Sequence, residues 1–590
     1  MDNQRNLIMA VLLCGLLLLG WDAAMRFFYP QAAVAPVTAS PRADTPAERA
    51  ATSGASDLGA PAAAARRIDV GAALRAGGRV PINAPRLEGS INTRGAQIDD
   101  VTLTGYRQSI QRNSGPVRLF APAGTDIQQF ARLGFLVNGR LATDQNTQWQ
   151  ASGGPLAPGR PVVLTHRGQN GETYTIRLTV DENFMITAQQ TVANAGPAPI
   201  VTQPYAAITR TSRTASPDIW NIHSGPIGTF NGVVNYDVEY EDLAAGGLVT
   251  AEGRPAWTGF TDQYWLSALV PDSRARAEAS YRGLGDNLFR SDLIYQPQTL
   301  APGQQASVTT RLFAGAKDSR ALDAYESELG IAQFDKAIDW GWFYWFMKPI
   351  LWLLLKLFEL VGNFGVAIIL LTVLVRGLMF PIAQKQFASM AAMRALQPKM
   401  KALQERYKDD KPKMQQELMA LYKEEKVNPL AGCLPILIQI PIFFALYKVL
   451  ILAVEMRHQP FALWIRDLSA PDPAHFLNLF GLLPFEVPGL LAIGPLAVLL
   501  GVTMWLTFKL NPTTGMDPVQ QQIFGLMPWV LMFVMAPFSA GLLLYWVTSN
   551  ILTVAQQSYL YSKHPQLKAA AEKERLEKAQ AAERAKAERA

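Results

Sequence analysis

Arg376 closes an apolar run, Val366 to Val375, in which no other residue is charged. A guanidinium beside hydrocarbon costs on the order of 3 kcal/mol or more, so ionisable groups within a membrane span usually face an interior or a wet cavity. Two chemistries fit. The cation can snorkel from a helix end to headgroups, or it can sit in a wet site and attract passing acidic groups. Other candidates are weaker. Asp181, Glu182, Asp237, Glu239 and Glu241 could be read as paired hydrolase acids, but scattered acids are the ordinary state of a β surface. His166, His223, His458, His475 and His564 fall outside the apolar spans, and neither H-E-x-x-H nor G-x-x-x-x-G-K-[ST] occurs. The two cysteines, Cys14 and Cys433, sit in apolar spans and build neither a disulfide framework nor a thiolate metal site. No cofactor is expected, and no enzyme.

The elements that must position Arg376 read as membrane spans. The 590 residues are 49% hydrophobic, but a mean hydropathy of +0.07 hides a mixed, polar first part and a second part with nearly all the long apolar runs. Pro349 to Val375 is long enough to cross a bilayer, which takes roughly 20 apolar residues. Further spans are about Leu7–Phe28, Leu430–Val454, Gly489–Phe508, Ile523–Ala536 and Phe538–Leu560. That makes six crossings. Residues 376–426 hold eleven Lys/Arg, whereas 455–486 hold only Arg457 and Arg466. The positive-inside rule then places the first loop and both termini in the cytoplasm and the polar first part outside. The net charge of +6 is concentrated in a few segments, which suits membrane topology and anionic surfaces rather than specific DNA binding.

The expected organisation is an N-terminal uncleaved transmembrane anchor (1–29), an Ala/Pro-rich linker (30–66), a β-sandwich (67–320) and an interfacial amphipathic helix (321–348). A second transmembrane helix (349–383), a cytoplasmic helical hairpin (384–428), transmembrane helices 3–6 (429–561) and a basic cytoplasmic tail (562–590) follow. Ala33-Val34-Ala35 resembles a signal-peptide cleavage site, but Pro36 disfavours cutting there. The linker reads as a flexible tether. Thr173 to Val180 alternates polar and apolar, the period of a half-buried strand. Leu322, Tyr325, Leu329 and Phe334 have helical spacing and lead into Trp340–Phe346, an aromatic cluster read as an interfacial anchor rather than sandwich core. In the hairpin, Met393, Met400, Leu403, Met414 and Leu418 form a stripe, read either as packing or as an adaptable contact surface. Pro398 should kink the first hairpin helix, and Pro412 should start the second.

Several stretches resemble a known family. They are Val375–Pro381, Glu425–Pro435, Gln439–Phe443, Pro460–Ser469 and Ser539–Trp546, with Gly89–Asn92 and Ile98–Val101 in the polar part. They are similar to the YidC membrane protein insertases of Gram-negative inner membranes, over almost the whole chain. The resemblance implies an α-helical polytopic membrane protein with a five-helix insertase core and a large periplasmic antiparallel β-supersandwich. It implies a hydrophilic groove open to cytoplasm and lipid, with Arg376 as its arginine. It also implies nascent membrane proteins, the ribosome, the Sec translocon and the phospholipid bilayer as partners. Thr372, Gln439, Tyr545, Ser549, Asn550 and Gln556 are the polar groups expected to line the groove, with an interhelical hydrogen bond as the competing reading for each, above all Asn550. Trp546, also placed there, stands where many relatives carry a second tyrosine. Leu434, Ile438, Met527 and Leu531 are expected to form an apolar slide. The rival classes, a coupled transporter and a membrane enzyme, lack a central intramembrane acid and a catalytic motif respectively.

Overall fold

The computed structural model describes residues 58, 67–111, 113–216, 222–244, 246–407, 410–425, 434–480, 483, 485, 487, 491–510 and 518–563. The expected anchor, the linker apart from Leu58 and the basic tail beyond Lys563 lie outside them. The chain forms two units, one β-rich and one helical.

Among the described residues, the β-rich unit is built on two largely antiparallel sheets. One runs Arg79–Asn83, Leu87–Asn92, Gln97–Arg107, Gln129–Val137, Ile200–Thr211, Leu288–Tyr295, Ala277–Gly285, Leu248–Thr250. The other runs Gln150–Ala157, Arg160–Arg167, Glu172–Val180, Met185–Asn194, Gln305–Ala316, Trp265–Val270, Pro255–Thr261, Gly225–Phe230, Val233–Asn235. The expected alternation holds in Glu172–Val180: Tyr174, Ile176, Leu178 and Val180 are buried, while Arg177 and Thr179 are exposed. The sheets face each other across Phe135 and Tyr174, with ring centroids 5.1 Å apart. Gln190 of the second sheet donates to the carbonyls of Gly134 and Tyr205 in the first, at 3.0 and 3.1 Å. Buried Arg210 is paired with Asp262 at 2.9 Å and buried Arg290 with Asp292 at 2.6 Å. Asp181 accepts from the Tyr325 hydroxyl at 2.6 Å and ties the turn through the amides of Asn183 and Met185. Glu182, Asp237, Glu239 and Glu241 are exposed. Two one-turn helices, α1 (Val70–Leu74) and α2 (Tyr240–Ala244), decorate this unit.

The interfacial helix expected over 321–348 is not one element. Tyr325 of α3 (Ser319–Leu329) and Phe334 after it pack into the sandwich core, Phe334 lying 5.3 Å from Phe313 and 5.6 Å from Trp257. Helical spacing of bulky residues serves a core as well as a bilayer surface, and these side chains found the core. The next helix is α4 (Tyr344–Val361), which buries Met347, Ile350, Leu351, Leu354 and Leu355 and exposes Trp345, Trp352 and Leu360.

The span expected to begin at Pro349 therefore begins later. Gly362 takes a left-handed φ of 67° and its N–H closes α4 on the Phe358 carbonyl at 2.7 Å. The Asn363 side chain then accepts from the Val366 N–H at 3.1 Å and opens α5 (Phe364–Ala395). Phe364–Gln384 is, among the described residues, the one helix segment long and apolar enough by itself to cross a membrane. Helices α8 (Leu434–Leu452), α9 (Pro495–Leu510) and α10 (Pro518–Met535) contribute shorter apolar stretches, followed by α11 (Ala540–Lys563). Sixteen residues of α9 rise about 24 Å against a hydrocarbon core of about 30 Å. Helix α5 packs on α4 and α11, α11 on α9, α9 on α10, and α8 on α4 and α11.

The hairpin is α6 (Gln397–Arg406) and α7 (Lys411–Glu424). Pro398 lies in the first turn of α6, so the chain breaks at Leu396 and restarts rather than kinking. Pro412 lies in the first turn of α7, where the Asp410 side chain accepts from the Lys413 N–H. Met400, Leu403, Met414 and Leu418 are half-buried, and Met400 sulfur accepts from the Tyr422 hydroxyl at 3.7 Å. Packing between the two helices thus uses part of the stripe. The Met393 side chain lies outside the described residues.

Candidate functional site

The seam between α5 and α11 holds the charged group. Arg376 lies twelve residues into α5, about 18 Å from its start at 1.5 Å per residue. Its Nε and Nη2 both donate to the Ser549 hydroxyl of α11, at 3.1 and 2.5 Å. Gln556, two turns further along α11, donates to the Arg376 carbonyl at 3.4 Å. Tyr545 is buried one turn before Ser549 and shares its face. Among the described residues, no carboxylate pairs with the Arg376 guanidinium. A half-buried cation is held by a neutral hydroxyl, an arrangement that leaves most of its charge uncompensated.

The other expected groove residues divide. Thr372 is buried and spends its hydroxyl on the Ile368 carbonyl of its own helix, at 2.7 Å. Asn550 donates to the Thr503 hydroxyl of α9 at 3.2 Å, the interhelical bond that is its competing reading. Trp546 leans on Phe443 of α8, with ring centroids 4.8 Å apart. Gln439, Leu434 and Ile438 have side chains outside the described residues. Met527 and Leu531 are half-buried on α10, beside exposed Leu526, Trp529, Val530, Phe533 and Val534. Exposed apolar surface of this extent on a helix marks contact with lipid or another protein.

The end where α5, α9 and α11 begin is tied shut by the loop after α8. Asn363 donates to the Phe461 carbonyl at 2.9 Å, and the amides of Ala540 and Gly541 donate to the carbonyls of Ala470 and Leu468 at 2.7 and 2.8 Å. Gly365 admits the Phe461 ring where a Cβ would lie 2.0 Å from it. Asp472 is buried and accepts from Trp464 Nε1 at 2.9 Å and from the amides of Ala474 and Leu496 at 3.1 and 3.0 Å. It thereby fixes the loop to the first turn of α9.

Comparison with known proteins matches both units. A family model described as the 60Kd inner membrane protein matches residues 356–568, and one described as the YidC periplasmic domain matches residues 79–353. The chain is 41% identical over 567 residues to the membrane protein insertase YidC of Zymomonas mobilis, covering 95% of this chain and 96% of that one. It is 41% identical over 588 residues to that of Nitrobacter hamburgensis, covering 96% of each. This chain belongs to the YidC membrane protein insertase family. It is an inner membrane protein with a periplasmic domain, and not an enzyme.

One residue of this YidC family member escaped the sequence reading. Lys448 lies on α8, is 6% exposed, and donates to Asp339 through both the carbonyl at 2.9 Å and the carboxylate at 3.1 Å. The signal was present, because Lys448 interrupts the apolar run from Leu434 to Val454 as plainly as Arg376 ends its own.

Proposed function

We propose that the chain inserts membrane proteins by receiving a polar tail in a cytoplasm-open groove at Arg376 and releasing the transmembrane segment sideways into lipid. The uncompensated guanidinium on Ser549 carries this reading. Moving unsatisfied polar groups through hydrocarbon is costly, and a wet site partway across shortens the dry path. A fixed cation there attracts acidic residues of the tail, and because its resident partner is neutral, no ion pair must be broken first. The stapled end around Asp472 is the outer closure in this reading, and the exposed apolar face of α10 beside Met527 and Leu531 is the slide.

The chain crosses the membrane six times, with both termini and the hairpin in the cytoplasm. Its stripe at Met393, Met400, Leu403, Met414 and Leu418 greets nascent chains. The ribosome docks through the basic tail, and insertion proceeds alone or beside the Sec translocon, without a nucleotide site of its own. The test is insertion of a small coat-protein-like substrate into vesicles carrying Arg376→Ala, Arg376→Glu or Arg376→Lys. Ala and Glu are expected to lose at least tenfold in insertion, while Lys retains most of it. Normal insertion by all three would leave Arg376 as a headgroup anchor and sink the groove reading.

A further inference from the structure

Leu58 belongs to an Ala/Pro-rich stretch with few large apolar residues, yet it is 0% exposed. It packs against Leu136 and Tyr205, with Leu141 and Ile294 at the margin. Its carbonyl accepts a hydrogen bond from Arg132 Nη2. Strand register explains why these residues meet. Tyr205 pairs with Gly134 on one side and Ile294 on the other, and Leu136 pairs with Leu141. Directly paired residues share a face, as do residues two apart. Phe135 points at the second sheet, so Arg132, Gly134 and Leu136 point away from it. The cluster therefore lies on the outward face of the first sheet, where a folded sandwich needs no such cover. Gly134 shapes it, because a Cβ there would stand 2.6 Å from the Tyr205 ring.

We propose that this face is a leucine-accepting peptide site that the chain keeps filled with its own tether at Leu58. One apolar side chain enters between Leu136, Leu141, Tyr205 and Ile294, and one backbone carbonyl is read by Arg132. The ligand class is a peptide that carries a leucine, in this chain Asp57-Leu58-Gly59. The site stays closed to other peptides while Leu58 is seated.

The probe is a labelled synthetic peptide spanning residues 51–66, added to the full-length protein in detergent. Saturable binding is expected with Leu58→Ala protein, and binding at least tenfold weaker with wild type and with Leu58→Ala/Leu141→Asp. A peptide carrying aspartate in place of the leucine is expected not to bind. Equal binding to wild type and Leu58→Ala, or equal binding of the two peptides, overturns the proposal. Independently of variant stability, Leu58→Cys with Leu141→Cys, in a chain with Cys14 and Cys433 replaced by serine, should form a disulfide on mild oxidation. A Ser53→Cys control with Leu141→Cys should not. Failure of the first pair to cross-link, or equal cross-linking of both, contradicts the docking of Leu58.

Discussion

Arg376 and Lys448 are both cations on apolar helices of the helical unit, and their surroundings differ. Lys448 is buried and donates twice to Asp339, once to its carboxylate. Arg376 is half-buried and donates twice to one serine hydroxyl. The β-rich unit pairs Arg210 with Asp262 and Arg290 with Asp292 in the same way, while its buried Arg132 donates to the Leu58 carbonyl. Pairing of this kind is what burial alone demands, since a lone charge in low dielectric is expensive. Among the described residues no carboxylate faces the Arg376 guanidinium, and the proposed groove makes use of that setting. In the proposed mechanism the charge is held in place but not neutralised.

The comparison can be broken at Lys448 first. Replacing it with alanine leaves Asp339 without its cation and should cost roughly 3 kcal/mol, toward the low end for a broken buried pair because Asp339 is partly exposed. The check is the thermal aggregation temperature in detergent. The pair Lys448→Met with Asp339→Asn should recover most of the loss, and a loss of equal size in both would show that packing, not charge, is at stake.

A smaller effect is expected at Glu455, just beyond α8, whose carboxylate accepts from the N–H and hydroxyl of Ser319. Burial, with the Asp318 charge adding, holds its pKa above the ordinary glutamate value. The stability this contributes is full below the unfolded pKa and is lost as pH rises through the folded one. Glu455→Gln should therefore stand above wild type in thermal stability at pH 8 and lose that advantage toward pH 4.5. A pH-independent difference would contradict the assignment. The smallest effect belongs to Asn550→Ala, which removes an interhelical bond worth about 0.6 kcal/mol. Insertion should stay within twofold of wild type, and a tenfold loss would return Asn550 to the groove.

Much of this was legible in the sequence. Period-two alternation gave the sandwich, apolar runs gave the helices of the second unit, and Arg376 announced itself against hydrocarbon. The helix break at Gly362 was hidden because Pro349 to Val375 is apolar on both sides of it, and only the left-handed glycine and the Asn363 cap divide the run. Tyr325 and Phe334 were misread because one spacing serves a membrane surface and a protein core alike. Thr372 and Asn550 could not be aimed from sequence, since a polar residue on an apolar helix bonds its own turn, its neighbour or water with equal ease. Leu58 was invisible, being a single leucine whose partners lie 74 or more residues away along the chain.

The most direct test of the uncompensated charge varies both partners at once. Insertion is measured for a substrate with aspartates in its translocated tail and for the same substrate with asparagines, by wild-type protein and by Arg376→Ala. The account predicts that Arg376→Ala slows the aspartate substrate at least tenfold and leaves the asparagine substrate within about twofold, a coupling of roughly 1 kcal/mol or more. An equal loss for both substrates would contradict it, because Arg376 would then matter for the shape of the seam and not for the charge it offers.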